Sequence, residues 1–489
     1  MTRLNGEKGA SYAWVILVVL FIGHAIGFGI RSSFGAYVSP WEQEFLAGRS
    51  VVSSISMLSF FIFCVGQLLA GRLNDRFGKG IVPAAGVFLM GVSLVLTSQA
   101  DQIWKVVLLF GVGFSMGFAM CSNTVPSSII ANWFARKRGF ALGLIMSGFA
   151  VGQLVLVPAS LYYVENVGWR GTMAALGIIL IVAIGPLFVI FLRSKPEEKG
   201  LKPYGYAEPE SSGQPAGSAR PEDRSRAAGS TESDNPGRPA GSTEQESAGS
   251  KGSGRTANSV GPESAQAGNT KPGGVGPEGV QAGSTKPGGV GPEGEKLLPA
   301  VGVFRLRVFW QLTIPYFICG FTDVGIIQTH LIPFAEGKGL AVSLVAAAFI
   351  LIAAANIAGT IVTGHLSDYT SRTRQLAIIY AFRAITYIIL IALHQPWLLL
   401  LFAVLYGAVE MASIAPTNSL AVQLFEKYPM GAILALVTVS HNTGGALGSF
   451  IPGLLFDYTG SYYSVLILSV IMLFAGALIA LKTPDIRRD

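Results

Sequence analysis

Long apolar runs separated by short polar segments account for most of the chain. Each run is close to the roughly 20 residues that an α-helix needs to cross the hydrocarbon core of a bilayer. The pattern therefore predicts a membrane protein with twelve spanning helices. The runs are Tyr12–Tyr37, Val51–Leu69, Ile81–Leu96, Ile103–Val125, Phe140–Val164, Thr172–Leu192, Val308–Phe334, Ser343–Thr363, Leu376–Leu393, Trp397–Leu420, Gly431–Phe456 and Tyr463–Leu481.

One short polar pattern occurs twice, and each copy follows a long apolar run. The first copy is Gly71-Arg-Leu-Asn-Asp75-Arg76, and the second is Gly364-His-Leu-Ser-Asp368-Tyr, roughly 290 residues later. A repeat on this scale predicts two similar six-helix halves, residues 1–193 and 302–489. In such an architecture the substrate site lies between the halves, near the bilayer midplane.

The segment 194–301 between the halves has a different composition. It is rich in Gly, Pro, Ser, Glu and Thr, and Lys271–Gly279 returns as a near-repeat at Lys286–Gly294. Such a segment cannot bury enough apolar area to offset the loss of chain entropy, so we expect it to be a disordered tether. A regulatory role is the alternative.

Composition and charge narrow the function further. Only 13% of the residues are charged, against roughly a quarter in soluble domains. The net charge of +7 comes from short loops rather than from a basic stripe interleaved with aromatics, so no nucleic-acid partner is predicted. The three cysteines lie in apolar runs without metal-ligand spacing, and no phosphate-binding loop or nucleophile motif occurs. We therefore predict a protein that is not an enzyme and that uses no cofactor or metal.

The distribution of Lys and Arg predicts the orientation. Basic residues are concentrated in one alternate set of loops and at both termini. By the positive-inside rule, both termini and the segment 194–301 are cytoplasmic. We expect a multi-pass protein of the plasma (inner) membrane that functions as a monomer and carries no cleavable signal peptide.

Ionisable residues at membrane depth are costly, and each is therefore a functional candidate. Arg31 is predicted to bind an anionic substrate, because a guanidinium matches a carboxylate in two-point geometry. His24 lies seven residues earlier on the same face. The alternative for Arg31 is a side chain that extends to the membrane surface.

Two carboxylates and a histidine are candidates for proton coupling. Asp323 and His330 lie seven residues apart on one face of the seventh helix, and Glu410 lies in the middle of the tenth. A structural hydrogen bond is the alternative for His330, structural pairing for Asp323, and an ion pair with Arg383 for Glu410.

Four further polar side chains are candidates for lining a central cavity. They are Asn123, Asn356, His441 and Asn442. The alternative for each is a hydrogen-bonded polar residue in a helix core.

The repeated Gly-x-Leu-x-Asp pattern resembles the loop signature of the major facilitator superfamily. Several other segments resemble the monocarboxylate-porter branch of that superfamily, with its oxalate–formate exchangers among the bacterial relatives. They are Gly29–Gly35, Trp133–Gly143, Gly168–Arg170, Cys319–Thr322, His330–Phe334, Ser440–Gly448 and Phe456–Tyr462. The resemblance covers nearly the whole chain except residues 194–301, and it implies an all-α fold of twelve helices.

The resemblance also implies a gating role for the repeated loop. Gly71 and Gly364 would let neighbouring helices approach closely, while Asp75 and Asp368 accept hydrogen bonds at the membrane edge. Arg76 belongs to the first copy, and the second copy lacks the corresponding arginine. A surface charge beside a basic loop is the alternative.

The eighth helix departs from the family pattern. Better-known monocarboxylate porters carry an acidic residue and an arginine there, whereas Val345–Thr363 contains no charge. We predict a secondary transporter that moves small organic anions by alternating access, with protons as the coupling ion. Exchange of organic anions, efflux of hydrophobic compounds and a transporter-like receptor remain alternatives.

Overall fold

A computed structural model describes residues 2–77, 80–122, 124–205 and 298–485. The first part consists of helices joined by short loops, with π-helical segments at Val107–Phe114 and Leu180–Ile184. The α-helices of this part are Thr2–Ser32, Gly35–Phe45, Arg49–Phe77, Ile81–Thr97, Ile103–Val106, Ser115–Cys121, Thr124–Trp133, Arg138–Ile179 and Gly185–Phe191.

The second part repeats the same kind of architecture. It contains a π-helical segment at Phe321–Ile327 and a 3-10 helix at Ala300–Arg305. Its α-helices are Arg307–Gly320, Gln328–Gly337, Val342–Tyr369, Arg372–Ile391, Pro396–Glu410, Ile414–Leu424, Met430–Thr459 and Tyr463–Leu481.

These helices form twelve membrane-crossing stretches, here called spans 1 to 12. Nine runs of the described residues are long and apolar enough to cross a bilayer, and one of them, Arg138–Phe191, bends at Gly168 (φ 83°) into spans 5 and 6. Span 3 is shorter and span 11 more polar. In order, the spans are Thr2–Ser32, Arg49–Phe77, Ile81–Thr97, Ile103–Trp133, 138–167, 168–191, Arg307–Gly337, Val342–Tyr369, Arg372–Ile391, Pro396–Leu424, Met430–Thr459 and Tyr463–Leu481.

Two apolar cores underlie this arrangement. One is built from residues between Ala13 and Leu192, and the other almost wholly from residues between Val303 and Ala480. Each set of six spans therefore packs around its own core, as expected for a chain made of two similar halves.

Glycines produce the same helix crossing in both halves. A Cβ added to Gly152 of span 5 would lie 2.0 Å from the carbonyl oxygen of Ala25 in span 1. A Cβ on Gly444 of span 11 would likewise lie 2.1 Å from the carbonyl oxygen of Phe317 in span 7. Only glycine allows the two backbones to approach so closely, so these pairs of spans are held at short distance.

The halves are joined at one end, here called the closed end, which contains the loops 46–49 and 460–462. The backbone N–H groups of Arg49 and Ser50 donate to the Asp457 carboxylate at 2.8 and 2.9 Å. The Arg49 guanidinium donates to the hydroxyl of Tyr462 at 3.0 Å and pairs with Glu42 at 2.6 Å. Polar contacts therefore tie span 2 to span 11 at this end.

The opposite end is here called the open end. An added Cβ would meet no heavy atom within 4 Å at Gly143 of span 5, Gly364 of span 8 or Gly431 of span 11. The packing of spans 5, 8 and 11 is therefore loose at these three positions.

The two ends of the segment 194–301 are docked onto the helices. The Tyr204 N–H donates to the Trp133 carbonyl at 2.8 Å, and the Ala135 N–H donates to the Tyr204 carbonyl at 3.0 Å. The Leu298 N–H donates to the carbonyl of Lys427 at 2.9 Å. Residues 194–205 and 298–301, which the sequence assigned to a disordered tether, are therefore attached to the helices through these backbone hydrogen bonds. The remainder of the segment lies outside the described residues.

Candidate functional site

Arg31 lies in the last turn of span 1 and is only 9% exposed. Its Cζ lies 3.9 Å from the centre of the Phe60 ring, 4.9 Å from Phe63 and 5.6 Å from Phe118. Both terminal nitrogens, Nη1 and Nη2, are buried without a hydrogen-bond partner. The guanidinium is therefore held by aromatic faces, and its terminal donors are unused.

A cavity of about 10 Å³ borders Arg31 on its closed-end side. Three of its lining residues carry hydroxyl groups that are already bonded to one another or to neighbouring spans. Ser56 donates to Ser449 at 3.1 Å, and Thr329 and Ser449 are 3.1 Å apart. Ser59 lies 2.5 Å from Ser115. These hydroxyl groups are uncharged and already hydrogen-bonded, so the charge at this cavity comes from the Arg31 guanidinium.

Span 11 approaches Arg31 from the other half. The thiol of Cys64, which lies near Arg31, is a neighbour of the Asn442 side chain. Asn442 also bonds to His441, whose ring lies 4.6 Å from that of Tyr316. Of the predicted cavity residues, Asn442 is thus the one that the structure brings close to Arg31.

His24 is placed differently from the prediction that grouped it with Arg31. Its ring lies 4.5 Å from that of Phe28, and a Cβ on Gly148 of span 5 would lie 3.2 Å from its Cδ2. The side chain is 2% exposed. His24 therefore packs in the contact between spans 1 and 5.

Three charged residues lie fully buried in the C-terminal half. Asp323, Arg383 and Glu410 come from spans 7, 9 and 10, and each is 0% exposed. The hydroxyl of Tyr406 donates to Asp323 Oδ1 at 2.9 Å, while Asp323 Oδ2 is buried without a partner. We call these three residues the acidic cluster, because they combine two carboxylates with one guanidinium.

Arg383 does not form the ion pair with Glu410 that was one of the two sequence alternatives. Its Nη2 donates to the backbone carbonyls of Val409 and Glu410 at 2.7 and 2.6 Å, and its Nη1 donates to Cys319 Sγ at 3.0 Å. These carbonyls lie where span 10 is interrupted between Glu410 and Ile414. The guanidinium therefore stabilises a helix break, where carbonyl groups lack helical partners.

The Glu410 carboxylate instead accepts hydrogen bonds from two amides. Asn356 of span 8 donates to it at 2.5 Å, and Gln153 of span 5 donates at 3.4 Å. Asn356, predicted to line the cavity, thus binds Glu410. Gln153 belongs to the other half, so this carboxylate is in contact with both halves of the molecule.

His330 is bonded at the closed end. Its Nδ1 lies 3.0 Å from the hydroxyl of Tyr462, and its Nε2 lies 2.6 Å from the carbonyl of Ser449. Both ring nitrogens are therefore engaged away from Asp323. Asp323 lies inside the π-helical segment Phe321–Ile327, which changes the helical spacing to His330 that predicted a shared face.

One group of side chains has the composition of a metal site. Cys319, Asp323 and His441 each place a ligand atom within 4.8 Å of the others. The Arg383 guanidinium already donates to the sulfur of Cys319. A divalent cation would therefore lie beside a fixed positive charge, so the group does not fit a metal.

The predicted gate is described only in part. A Cβ added to Gly71 would lie 3.6 Å from Thr124, and a Cβ added to Gly364 would meet no heavy atom within 4 Å. The predicted close approach of helices at these glycines is therefore not made in this conformation. Arg76 lies over its neighbour Phe77 at 5.6 Å. The side chains of Asp75 and Asp368, and the whole of Asn123, lie outside the described residues, so the latch itself remains a prediction.

Sequence reasoning missed the two amides Gln153 and Gln328. Each is a strongly polar side chain inside an apolar run, and each is almost fully buried. Their uncharged character kept them out of a search for ionisable groups. A search for every amide at membrane depth would have found both.

Comparison with known proteins gives a consistent family. The Major Facilitator Superfamily model matches residues 20–426. The chain is 23% identical over 484 residues to the uncharacterized MFS-type transporter YcxA of Bacillus subtilis, covering 95% of this chain and 92% of that protein. It is 27% identical over 182 residues to human monocarboxylate transporter 6, covering 37% of this chain and 36% of that protein.

Another relative and a solved structure extend the comparison. The MFS-type transporter pynF of Aspergillus niger is 30% identical over 198 residues, so the match spans 40% of this chain and less than half (45%) of that protein. A bacterial homolog of the human lysosomal transporter Spinster, in an inward-facing and unoccupied conformation, superimposes with a TM-score of 0.63 at 15% identity. That match covers 96% of this chain and 97% of the other. It shows a shared fold, and it confirms the predicted twelve-helix architecture.

Proposed function

Because the chain belongs to the Major Facilitator Superfamily of multi-pass membrane transporters, we propose that it carries small monocarboxylates across the membrane with protons. The observation that carries this proposal is Arg31, a buried guanidinium whose terminal nitrogens have no partner. A desolvated cation without an anion is costly unless a ligand supplies the charge. A carboxylate matches the two free nitrogens in fork geometry.

The position of Arg31 suits a site reached from both sides in turn. It lies on span 1 of one half, and its neighbours Cys64 and Asn442 connect spans 2 and 11 across the halves. The closed-end contacts of Arg49 and Asp457 block one path, and the loosely packed open end leaves the other. We infer that rocking of the halves exposes Arg31 alternately to the two sides.

The acidic cluster supports proton coupling. In the described part of the chain the ion pairs are Arg49–Glu42, Lys105–Asp101 and Arg170–Glu44, so neither Asp323 nor Glu410 has one. Two buried carboxylates beside one guanidinium leave one excess negative charge, and a proton is the simplest group that balances it. We assign the exchangeable proton to Glu410, since this carboxylate contacts both halves.

The remaining elements of the proposal concern membrane topology. We propose that the open end faces the cytoplasm of a plasma (inner) membrane, as the excess of basic residues in its loops favours. Both termini and the middle segment would then be cytoplasmic. The two halves provide a complete site within one chain, so we propose a functional monomer.

Anion exchange is a second candidate, and one observation favours it. Among the described residues, no carboxylate forms an ion pair with Arg31. An arginine without a carboxylate partner does not need a proton to release its substrate. In that case two anions would use Arg31 in turn.

Uptake into proteoliposomes tests the proposal. Radiolabelled propionate and benzoate are offered with and without an inward proton gradient, using wild type, Arg31→Gln and the exposed control Arg305→Gln. We expect uptake stimulated by the gradient in wild type and the control, and none in Arg31→Gln. Uptake that needs a trapped internal anion instead of the gradient would favour exchange. Equal uptake by Arg31→Gln would overturn the role of this residue.

A further inference from the structure

The cavity beside Arg31 is lined by donors that have no acceptor. Besides the Arg31 nitrogens Nη1 and Nη2, it is bordered by Gln328 of span 7, whose amide nitrogen Nε2 is also buried without a partner. Arg31 is 9% exposed and Gln328 is 4% exposed. Three unsatisfied donors from two side chains therefore lie around one small space.

Such a set of donors complements an anion. Buried polar groups are nearly always hydrogen-bonded, so an unpaired group needs an explanation. A carboxylate offers up to about four lone-pair sites and no donor, which is the reverse of what Arg31 and Gln328 present. The volume of about 10 Å³ has room for about one water-sized group, so a carboxylate, with three heavy atoms, requires a conformation in which this space is wider.

The local helix geometry accounts for the direction of Gln328. It follows directly after the π-helical segment Phe321–Ile327, in which each turn holds an extra residue. A second π-helical segment, Val107–Phe114, contributes Phe110 to the same cavity. Irregular turns of this kind occur mainly at functional sites, because they redirect side chains from the regular helical spacing.

We propose that Arg31 and Gln328 together bind the single carboxylate group of the substrate, and that Gln328 determines specificity for monocarboxylates. The inference rests on the proposed function. The other lining side chains are the hydroxyl residues Ser56, Ser59 and Thr329, which are already bonded to other hydroxyl groups, and the apolar residues Phe34, Phe60, Phe110 and Val324. A second carboxylate on the substrate would therefore lose its water without gaining a partner, so dicarboxylates are excluded.

The two ligands belong to different halves of the molecule. Arg31 lies on span 1 and Gln328 on span 7, which occupy equivalent positions in the two halves. A carboxylate bound by both would connect the halves at the centre of the molecule. Substrate binding would then favour the conformation in which the two donors converge.

Binding of small acids to the purified full-length protein tests this site. Dissociation constants are measured by calorimetry for propionate, benzoate, malonate and succinate. Gln328→Leu and Gln328→Met both remove the donor, and Gln99→Leu changes an exposed glutamine as the control. We expect both Gln328 variants to weaken propionate binding at least about tenfold, the effect of losing one hydrogen bond to a charged group. Malonate and succinate should bind wild type at least about tenfold more weakly than propionate.

A variant with an acid in place of the amide separates binding from packing. Gln328→Glu should lose propionate binding near neutral pH, because its carboxylate repels the ligand and pairs with Arg31. Binding should return on acidification, since the protonated side chain again donates a hydrogen bond. A merely structural role of Gln328 would not produce this pH dependence.

The outcomes distinguish this inference from the proposed function. Propionate binding that is lost in Arg31→Gln but unchanged in both Gln328 variants would overturn the role of Gln328 and keep that of Arg31. Malonate binding as tight as propionate binding would overturn the specificity. Wild type that binds none of the four acids would overturn both proposals.

Discussion

Replacement of Glu410 by glutamine should separate proton-driven transport from exchange. The acidic cluster holds two fully buried carboxylates and one guanidinium. Leaving a buried carboxylate ionised and unpaired costs several kcal/mol. If the cost is ~3 kcal/mol, proton-loaded and proton-free states differ about a hundredfold in population, at 1.36 kcal/mol per factor of ten. Glu410→Gln removes the titrating carboxylate and with it the coupling to protons, so gradient-driven accumulation should be lost. For one coupled proton this loss is about tenfold per pH unit of imposed gradient.

The same substitution should leave the fold and the exchange reaction intact. The amide has nearly the shape of the carboxylic acid, and its oxygen still accepts the hydrogen bond that Asn356 donates at 2.5 Å. Exchange of labelled for unlabelled substrate requires binding and rocking but no release of the proton. We therefore expect exchange at the wild-type rate, without dependence on pH from mildly acidic to mildly alkaline conditions.

Both reactions are measured in one preparation of proteoliposomes. Accumulation is followed with an imposed proton gradient, and exchange with equal pH and excess unlabelled propionate inside. Glu165→Gln, which changes an exposed carboxylate near the end of span 5, is the matched control. Gradient-driven accumulation by Glu410→Gln at the wild-type level would refute the assignment of the proton to this residue. Loss of exchange together with accumulation would point to a structural role instead.

Three further perturbations follow from the packing and the closed end. Gly444→Ala places a Cβ 2.1 Å from a carbonyl oxygen of span 7 and should destabilise the protein by about 1–3 kcal/mol, which lowers the melting temperature in detergent. In the control Gly431→Ala, the new Cβ meets no heavy atom within 4 Å, so the melting temperature should not change. Asp457→Asn weakens the acceptor of two N–H groups at the closed end. A membrane-impermeant maleimide added on that side should therefore modify Cys64 faster, and an unchanged rate would show that the Asp457 contacts do not close this end. Cys64 lies near Arg31, so bound propionate should slow the modification of Cys64 by a maleimide added from the open end. The rate is measured with and without propionate, and Cys64→Ser is the control.

Most of the fold was predictable from hydropathy and repetition. Twelve apolar runs predicted the spans because a bilayer leaves few alternatives to a helix of the required length. The glycines of span 11 allow a close helix contact, since a Cβ added to Gly444 would lie 2.1 Å from the carbonyl oxygen of Phe317. These features depend on local composition, which is visible in one sequence.

The partners inside the site were not predictable in the same way. The prediction for Asp323 and His330 assumed a regular helix, but Asp323 lies inside the π-helical segment Phe321–Ile327, which changed which groups converge. An ion pair of Arg383 with Glu410 was one of two alternatives from the sequence, but the interrupted span 10 offers carbonyl groups that Arg383 binds instead. Backbone irregularity decides both cases, and it depends on packing between spans rather than on residue spacing.

The two docked ends of the middle segment offer an optical measure of the transport cycle. Tyr204 is fixed to the loop before span 5, and Leu298 is fixed to the loop before span 11, so each end follows one half. Residues 206–297 could be replaced by a donor and an acceptor fluorescent domain joined in one chain, each next to one anchor. Energy transfer between the two domains would report the separation of the two equivalent loops. Energy transfer that changes when substrate is added would convert this chain into a sensor for its own ligand.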